Sequence, residues 1–130
     1  MTTVDRAAPS LTLRQRGKLR DQLISDRLAT QALVDVLMEE LESFQASRRD
    51  TTTDDGQDPE GPALDFERSQ STVVLVQSRS HLDQIENAIV RLEEGSYGSC
   101  ARCGKGIPFA RLDARPYTAH CVQCAEYLGH

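Results

Sequence analysis

Four cysteines near the C-terminus are the residues of this chain best suited to chemistry. They form two C-x-x-C pairs, Cys100 with Cys103 and Cys121 with Cys124, and the sequence holds no other cysteine. Two such pairs separated by seventeen residues match the spacing of a tetrahedral zinc site. Four thiolates leave the metal no open position, so we expect one structural Zn²⁺ per chain and no hydrolytic chemistry.

Two other interpretations of the cysteines stay open from their spacing. A pair of disulfides would suit a secreted protein, but Met1–Ser10 lacks the apolar stretch of a signal peptide. A redox dithiol would need a reactive thiolate, which a closed zinc site would occupy. His120, beside Cys121, is a conceivable substitute ligand, although a surface histidine of the finger is the simpler interpretation.

The composition limits the class of protein. A chain of 130 residues with 38% hydrophobic residues and no Trp is one small domain, or a small domain with an appendage. Its net charge of −5 argues against a protein that grips DNA mainly through phosphate contacts. No apolar run is long enough to span a membrane. Reduced cysteines and the lack of a signal peptide predict a cytoplasmic protein, and the closed zinc site predicts that it is not an enzyme.

Two long segments have helical periodicity and must position the cysteines. Leu11–Arg49 contains no proline, and Thr12 with Gln15 forms a capping box near its start. Ala63–Glu94 repeats apolar residues in near-heptads, with Gly95 as a C-terminal stop. The apolar positions predicted to pair are Leu19, Leu23, Leu28, Leu33, Leu37, Leu41 and Phe44 in the first helix, and Phe66, Val73, Leu75, Leu82, Ile85, Ile89 and Leu92 in the second.

The segment between these helices, Asp50–Pro62, is acidic and rich in glycine and proline, so it predicts a chain-reversing loop. The predicted fold is mainly α: a long antiparallel helical hairpin (coiled coil) with a small C-terminal zinc-ribbon-like finger. We predict a flexible leader at 1–10, the hairpin at 11–94 with its acidic tip near 50–62, and the finger at 95–130. The finger core is predicted to contain Tyr97, Ile107, Phe109, Leu112, Tyr117 and Val122.

The finger resembles that of the DksA/TraR family of zinc-finger transcription regulators. The shared marks are the G-x-Y-G-x-C start, the C-x-x-C-G-x-x-I continuation, the A-R-L-x-A-R-P block at Ala110–Pro116 and the final C-x-x-C. Asp58–Arg68 is similar to the loop and second-helix start of one branch of the family. The resemblance covers roughly residues 15–126, because both helices match in kind.

The resemblance implies a function. Such proteins bind RNA polymerase and insert the hairpin into its secondary channel, which brings tip carboxylates near the catalytic magnesium and modulates initiation. Family members that act through the channel typically carry D-x-x-D-x-A at the tip. In one registration this chain has Asp55 and Asp58 as the two acids, with Glu60 in place of the alanine. Counting back from Cys100 without gaps instead places the second acid at Glu60 and Pro62 at the alanine position, and neither registration is a full match. These three acids are the candidate polymerase contacts. The short segment after Cys124 makes the response to ppGpp uncertain, and alarmone binding is not predicted.

Two alternatives accompany this hypothesis. The chain would instead be a zinc-stabilised protein–protein adaptor if the tip acids only solvate the loop. Sequence-specific DNA binding is disfavoured by the acidic charge and the lack of a recognition helix. Four cations, Arg102, Lys105, Arg111 and Arg115, make the finger locally basic, and they form either a partner contact or ordinary solvated surface.

Overall fold

The computed structural model describes residues 11–51 and 61–129, and the side chains of 11–46 and 65–129. The described residues form four helices, α1 (Leu13–Thr51), α2 (Gly61–Glu94), α3 (Phe109–Ala114) and α4 (Val122–Leu128). Within these ranges, strand-like pairing is limited to one isolated bridge between Ser99 and Gly106. None of the helices is long and apolar enough to cross a membrane, as far as the described residues go. The leader 1–10 and the candidate tip acids Asp55, Asp58 and Glu60 lie outside the described residues.

The ends of the two long helices follow from local chemistry. Before α1, the Gln15 amide donates to Thr12 Oγ1 and the Thr12 amide donates to Gln15 Oε1, both at 3.0 Å, so the predicted capping box is confirmed. At the end of α2, Gly95 takes a φ of +88° and its amide donates to the Arg91 carbonyl at 2.9 Å. Glycine reaches this left-handed conformation without a Cβ penalty, which is why the helix stops there.

The two long helices extend into both ends of the segment 50–62 that was predicted to be a loop. α1 continues through Asp50 to Thr51, and α2 begins at Gly61, two residues before its predicted start. Pro62 is compatible with this because a proline in the first helical turn gives up an amide that has no intrahelical partner there.

The chain divides by packing into two compact units. The finger unit is Met1–Arg27 with Asp83–His130, and the hairpin unit is Leu28–Leu82. In each unit a part of α1 packs on a part of α2. The early residues of α1 meet the late residues of α2 in the finger unit, and the later residues of α1 meet the earlier ones of α2 in the hairpin unit. The two helices therefore run antiparallel, and the predicted mainly helical fold with a small finger is confirmed.

Residues of the finger and of both long helices together form the core of the finger unit. Leu19 and Leu23 of α1 and Ile85 and Ala88 of α2 share one buried cluster with residues of the finger. The finger members are Tyr97, Cys100, Ile107, Leu112 and Cys124, with Phe109 and Tyr117 partly buried beside them. Val122 was predicted to belong here and is exposed instead. It opens α4, whose inward face is formed by Cys124 and Ala125.

The hairpin unit has a smaller core, made of Val34, Leu37 and Leu75 with Leu41 packed against them. Two buried polar residues, Thr30 and Ser78, lie in the same unit. The predictions for Leu28, Leu33, Phe66 and Val73 are wrong, because all four side chains are exposed, Leu28 at 67% and Phe66 at 62%. The buried positions of α1 are three, four or seven residues apart, which keeps them on one face of the helix. Leu28 lies five residues after Leu23, which turns it away from that face.

Candidate metal centre

The first cysteine pair is shaped by a tight turn of the backbone. The Gly104 amide donates to the Cys100 carbonyl at 2.9 Å, and the Cys100 amide donates to the Lys105 carbonyl at 2.7 Å. Gly104 has a φ of +79°, a conformation in which a side chain would be strained. The turn thus directs Cys100 inward, where it is buried, while Cys103 stays exposed.

The second pair is positioned by the start of α4. Cys121 precedes the helix, and its carbonyl accepts the Ala125 amide at 2.9 Å. Cys124 lies within the first turn and is buried. A backbone hydrogen bond from the Ala101 amide to the Ala119 carbonyl, at 2.8 Å, ties the first turn to the segment that leads into α4. This backbone hydrogen bond holds the segments that carry the two cysteine pairs next to each other.

The four thiols converge on one point. All four Sγ atoms lie within 4.8 Å of one another, and Cys103 Sγ is 3.8 Å from Cys121 Sγ. Sulfurs at the corners of a tetrahedron, each about 2.3 Å from a zinc ion, would be about 3.8 Å apart. The four cysteines form no disulfide. The donor set fits zinc, and among the described residues this ligand group consists of thiols alone, without His120.

The backbone around the site favours thiolates. Burial of Cys100 opposes its charged form, but backbone hydrogen bonds from Cys103, Cys121 and Arg102 outweigh it and lower the pKa of Cys100 to about 6. A backbone hydrogen bond from Cys124 is the main cause that lowers the pKa of Cys121. Metal ligation requires deprotonated sulfur, so these amides prepare the site for a cation.

Without a bound cation, the pKa of Cys124 shifts in the opposite direction from the pKa values of Cys100 and Cys121. Its hydrogen bond from Arg102 favours the thiolate, yet burial and the three neighbouring cysteines outweigh it and raise the pKa of Cys124 to about 11. Several thiolates cannot be crowded together without a positive charge among them. A divalent cation supplies that charge.

An arginine inside the finger holds the loop before the second pair. Arg111 of α3 donates through Nε to the His120 carbonyl at 2.9 Å and through Nη2 to Thr118 Oγ1 at 3.4 Å. Tyr97, which is buried, donates its hydroxyl to the Pro116 carbonyl at 2.8 Å. Both side chains therefore fix the chain between α3 and Cys121, so Arg111 is part of the finger's internal structure.

Polar contacts also join the finger to both long helices. From α1, Lys18 Nζ lies 3.2 Å from Asp113 Oδ1, and Gln22 Nε2 donates to the same oxygen at 3.3 Å. From α2, Arg91 donates to the Thr118 carbonyl at 3.3 Å. These links join residues that are 27 to 95 positions apart in the sequence. No sequence pattern marks such pairs.

Comparisons with known proteins agree with this geometry. Residues 95–128 match the prokaryotic dksA/traR C4-type zinc finger. A curated relative, the RNA polymerase-binding transcription factor DksA of Caulobacter vibrioides, is 42% identical over 48 residues, which is 37% of this chain and 34% of that protein. An uncharacterized protein of Aquifex aeolicus is 49% identical over 45 residues, 35% of this chain and 31% of the relative. These matches thus span about a third of each curated relative.

The fold extends the likeness beyond the finger. The structure of transcription factor DksA2 from Pseudomonas aeruginosa is similar with a TM-score of 0.72 and 25% identity, covering 89% of this chain and 84% of that one. The resemblance to the DksA/TraR family is confirmed. The zinc cofactor is confirmed as well, since a C4-type finger brings four thiols into position for one metal ion.

Proposed function

Since the chain carries the DksA/TraR C4-type zinc finger on a DksA-like fold, we propose that it is an RNA polymerase-binding transcription regulator and not an enzyme. The observation that carries the proposal is the combination of finger and helical pair in one structural match, because the finger alone would fit many partners. The similar Caulobacter protein is described as RNA polymerase-binding, and polymerase is the partner we assign to this chain.

The zinc ion has a structural role in this proposal. Cys100, Cys103, Cys121 and Cys124 supply its four ligands, and the bound ion offsets the charge of the thiolates and holds the two pairs together. With four protein ligands the ion has no open position for a substrate or water. The finger therefore contributes a rigid end to α1 and α2, through the shared core and the contacts to Asp113 and Thr118.

The segment between α1 and α2 carries the regulatory contact in the finer form of the proposal. α1 ends at Thr51 and α2 begins at Gly61, so Asp55, Asp58 and Glu60 belong to the connection between two antiparallel helices. We propose that this connection enters the secondary channel of RNA polymerase. Carboxylates near the catalytic magnesium would change the local electrostatic potential and, through it, the stability of promoter complexes.

An initiation assay in vitro with the polymerase of the same organism tests this. The native chain is compared with a double variant, Asp58→Asn with Glu60→Gln, and with a control that neutralises the exposed acids Glu93 and Glu94 in the same way. The proposal predicts that all three bind polymerase, and that the native chain and the control shift the lifetime of open complexes while the tip variant does not.

The other outcomes distinguish a failure of the tip mechanism from a failure of the assigned partner. Binding with an equal effect from all three proteins would contradict the role of the tip and leave the finger or the helix surface as the regulatory element. Binding of native protein without any effect on initiation would indicate an adaptor. Absence of binding to polymerase would contradict the assigned partner itself.

A further inference from the structure

One exposed side chain of the finger touches the metal site without being one of its thiols. Arg102 lies between the first two cysteines, in the sequence Cys100-Ala101-Arg102-Cys103. Its guanidinium donates through Nη1 to Cys124 Sγ at 3.6 Å. The same group lies over the ring of Tyr127, with Cζ 3.8 Å from the ring centroid. Arg102 thus connects the first cysteine turn to α4, which carries the last cysteine.

The geometry of α4 explains why one arginine makes both contacts. Cys124 and Tyr127 are three residues apart on the helix and lie on the same face. A planar guanidinium can stack on an aromatic ring and keep N–H groups directed outward at its edge. Tyr127 is 72% exposed, and it offers a ring that fixes the guanidinium beside the sulfur. A lysine in the same place would have no planar group to stack.

The negative charge of the zinc-loaded site explains why a cation next to Cys124 matters. Four thiolates around Zn²⁺ carry a net charge of −2, which no ligand offsets. Hydrogen bonds to ligand atoms from outside the ligand set orient the ligands and tune the metal. A cation held at Cys124 offsets part of this negative charge in the zinc-loaded site, and its hydrogen bond holds the sulfur in its ligating orientation.

We propose that Arg102, held in place by Tyr127, is a positioning residue of the zinc site that slows the loss of the ion by donating to the Cys124 sulfur. This role of Arg102 is independent of the polymerase partner, because it concerns how the free chain retains its zinc ion. Arg102 belongs to the turn of the first cysteine pair and Cys124 to the second pair, so their contact also links the two pairs.

The test measures zinc release from the full-length, zinc-loaded chain to a chelating dye. Arg102→Ala is expected to release zinc about tenfold faster than the native chain, in the range typical for lost contacts to metal ligands. Arg102→Lys keeps the charge without the stacking plane and should fall between the two. Tyr127→Leu should act in the same direction as Arg102→Ala with a smaller effect. Lys105→Ala removes an equal charge from another exposed position of the finger and should stay within about twofold of native.

A second readout separates an effect at sulfur from simple fraying of α4. In the Co²⁺-substituted chain, loss of a hydrogen bond to a ligating sulfur raises the energy of its lone pairs. The sulfur-to-cobalt charge-transfer band should therefore move to lower energy in Arg102→Ala and not in Lys105→Ala. Equal release rates for those two variants would overturn the proposal. Faster release with an unmoved band would also overturn it, by assigning Arg102 to the support of the helix alone.

Discussion

The finger unit and the hairpin unit use the same two long helices with different means of stabilisation. The finger unit has nine buried residues in one cluster, a four-thiol site and polar contacts from α1, α2 and α3. Among its described residues, the hairpin unit has four buried apolar residues, three of them in one cluster, and two buried polar ones. Most of the stabilising contacts therefore lie in the finger unit, next to the metal site. The hairpin unit depends on a narrow strip of buried residues between α1 and α2, which is called the seam below.

The narrow seam follows from how α1 and α2 distribute their apolar residues. Leu33 and Val36 of α1, and Val73 and Val76 of α2, are exposed in the hairpin unit, while Thr30 and Ser78 occupy buried positions. Apolar surface that stays in water contributes nothing to folding. The hairpin unit is therefore expected to be the less stable of the two, which three perturbations can test.

Removal of one zinc ligand should give the largest effect. In Cys121→Ser, three remaining thiols rarely close a structural site, and zinc binding worth about 10–16 kcal/mol in comparable peptides would be forfeited in large part. We expect loss of bound zinc and of the finger's folded structure. Metal analysis and near-UV circular dichroism measure both, with Ser99→Ala as a control beside the site. One tightly held zinc per chain and an unchanged spectrum would contradict the account.

Truncation of core leucines should give the next largest effect and compare the units directly. Leu23→Ala, in the larger cluster, should cost about 3–5 kcal/mol of unfolding free energy, and Leu37→Ala, at the rim of the smaller one, about 2–3 kcal/mol. The same substitution at exposed Leu28 and Leu33 should change stability by no more than about 0.5 kcal/mol. Urea denaturation gives all four values. Equal costs at Leu23 and Leu28 would show that the assigned core face of α1 is wrong.

Loss of one hydroxyl should give the smallest effect. Tyr97→Phe removes the donor to the Pro116 carbonyl and should cost about 1–2 kcal/mol. Burial raises the pKa of Tyr97 to about 12, with Arg91 and Arg16 opposing the shift. The folded state therefore holds its proton above pH 10 while the unfolded state loses it, so stability falls as pH rises from about 10 to 12.

The same variant tests that pH dependence. Native protein should lose more stability than Tyr97→Phe between pH 9 and pH 11, since phenylalanine has no proton to release. Thermal melts of zinc-loaded protein at the two pH values provide the comparison, and the shared thiols cancel in the difference. Parallel losses in both proteins would show that Tyr97 does not titrate as proposed.

Features that depend on only a few neighbouring residues could be predicted from the sequence. The zinc site follows from cysteine spacing, and the capping box at Thr12 and the stop at Gly95 each need only a few neighbouring residues. The type of both long helices follows from their periodicity in the same way.

Features that depend on orientation or on distant residues were missed. Leu28 and Phe66 are apolar but lie off the buried face, and Thr30 and Ser78 are polar but lie on it. Residue type alone assigns all four wrongly. The contact of Gln22 with Asp113 and the stacking of Arg102 on Tyr127 require the fold to bring them together.

The most direct test of the central claim is a cross-linking map of the segment between α1 and α2 on RNA polymerase. A photoreactive amino acid is placed at Gln57, between the candidate acids, and a matched one at exposed Glu94 of α2. The account predicts that the probe at position 57 cross-links to polymerase segments that line the secondary channel near the catalytic magnesium, and that the probe at 94 does not. Cross-links from position 57 only to the outer surface of polymerase, or none while the chain is bound, would contradict it.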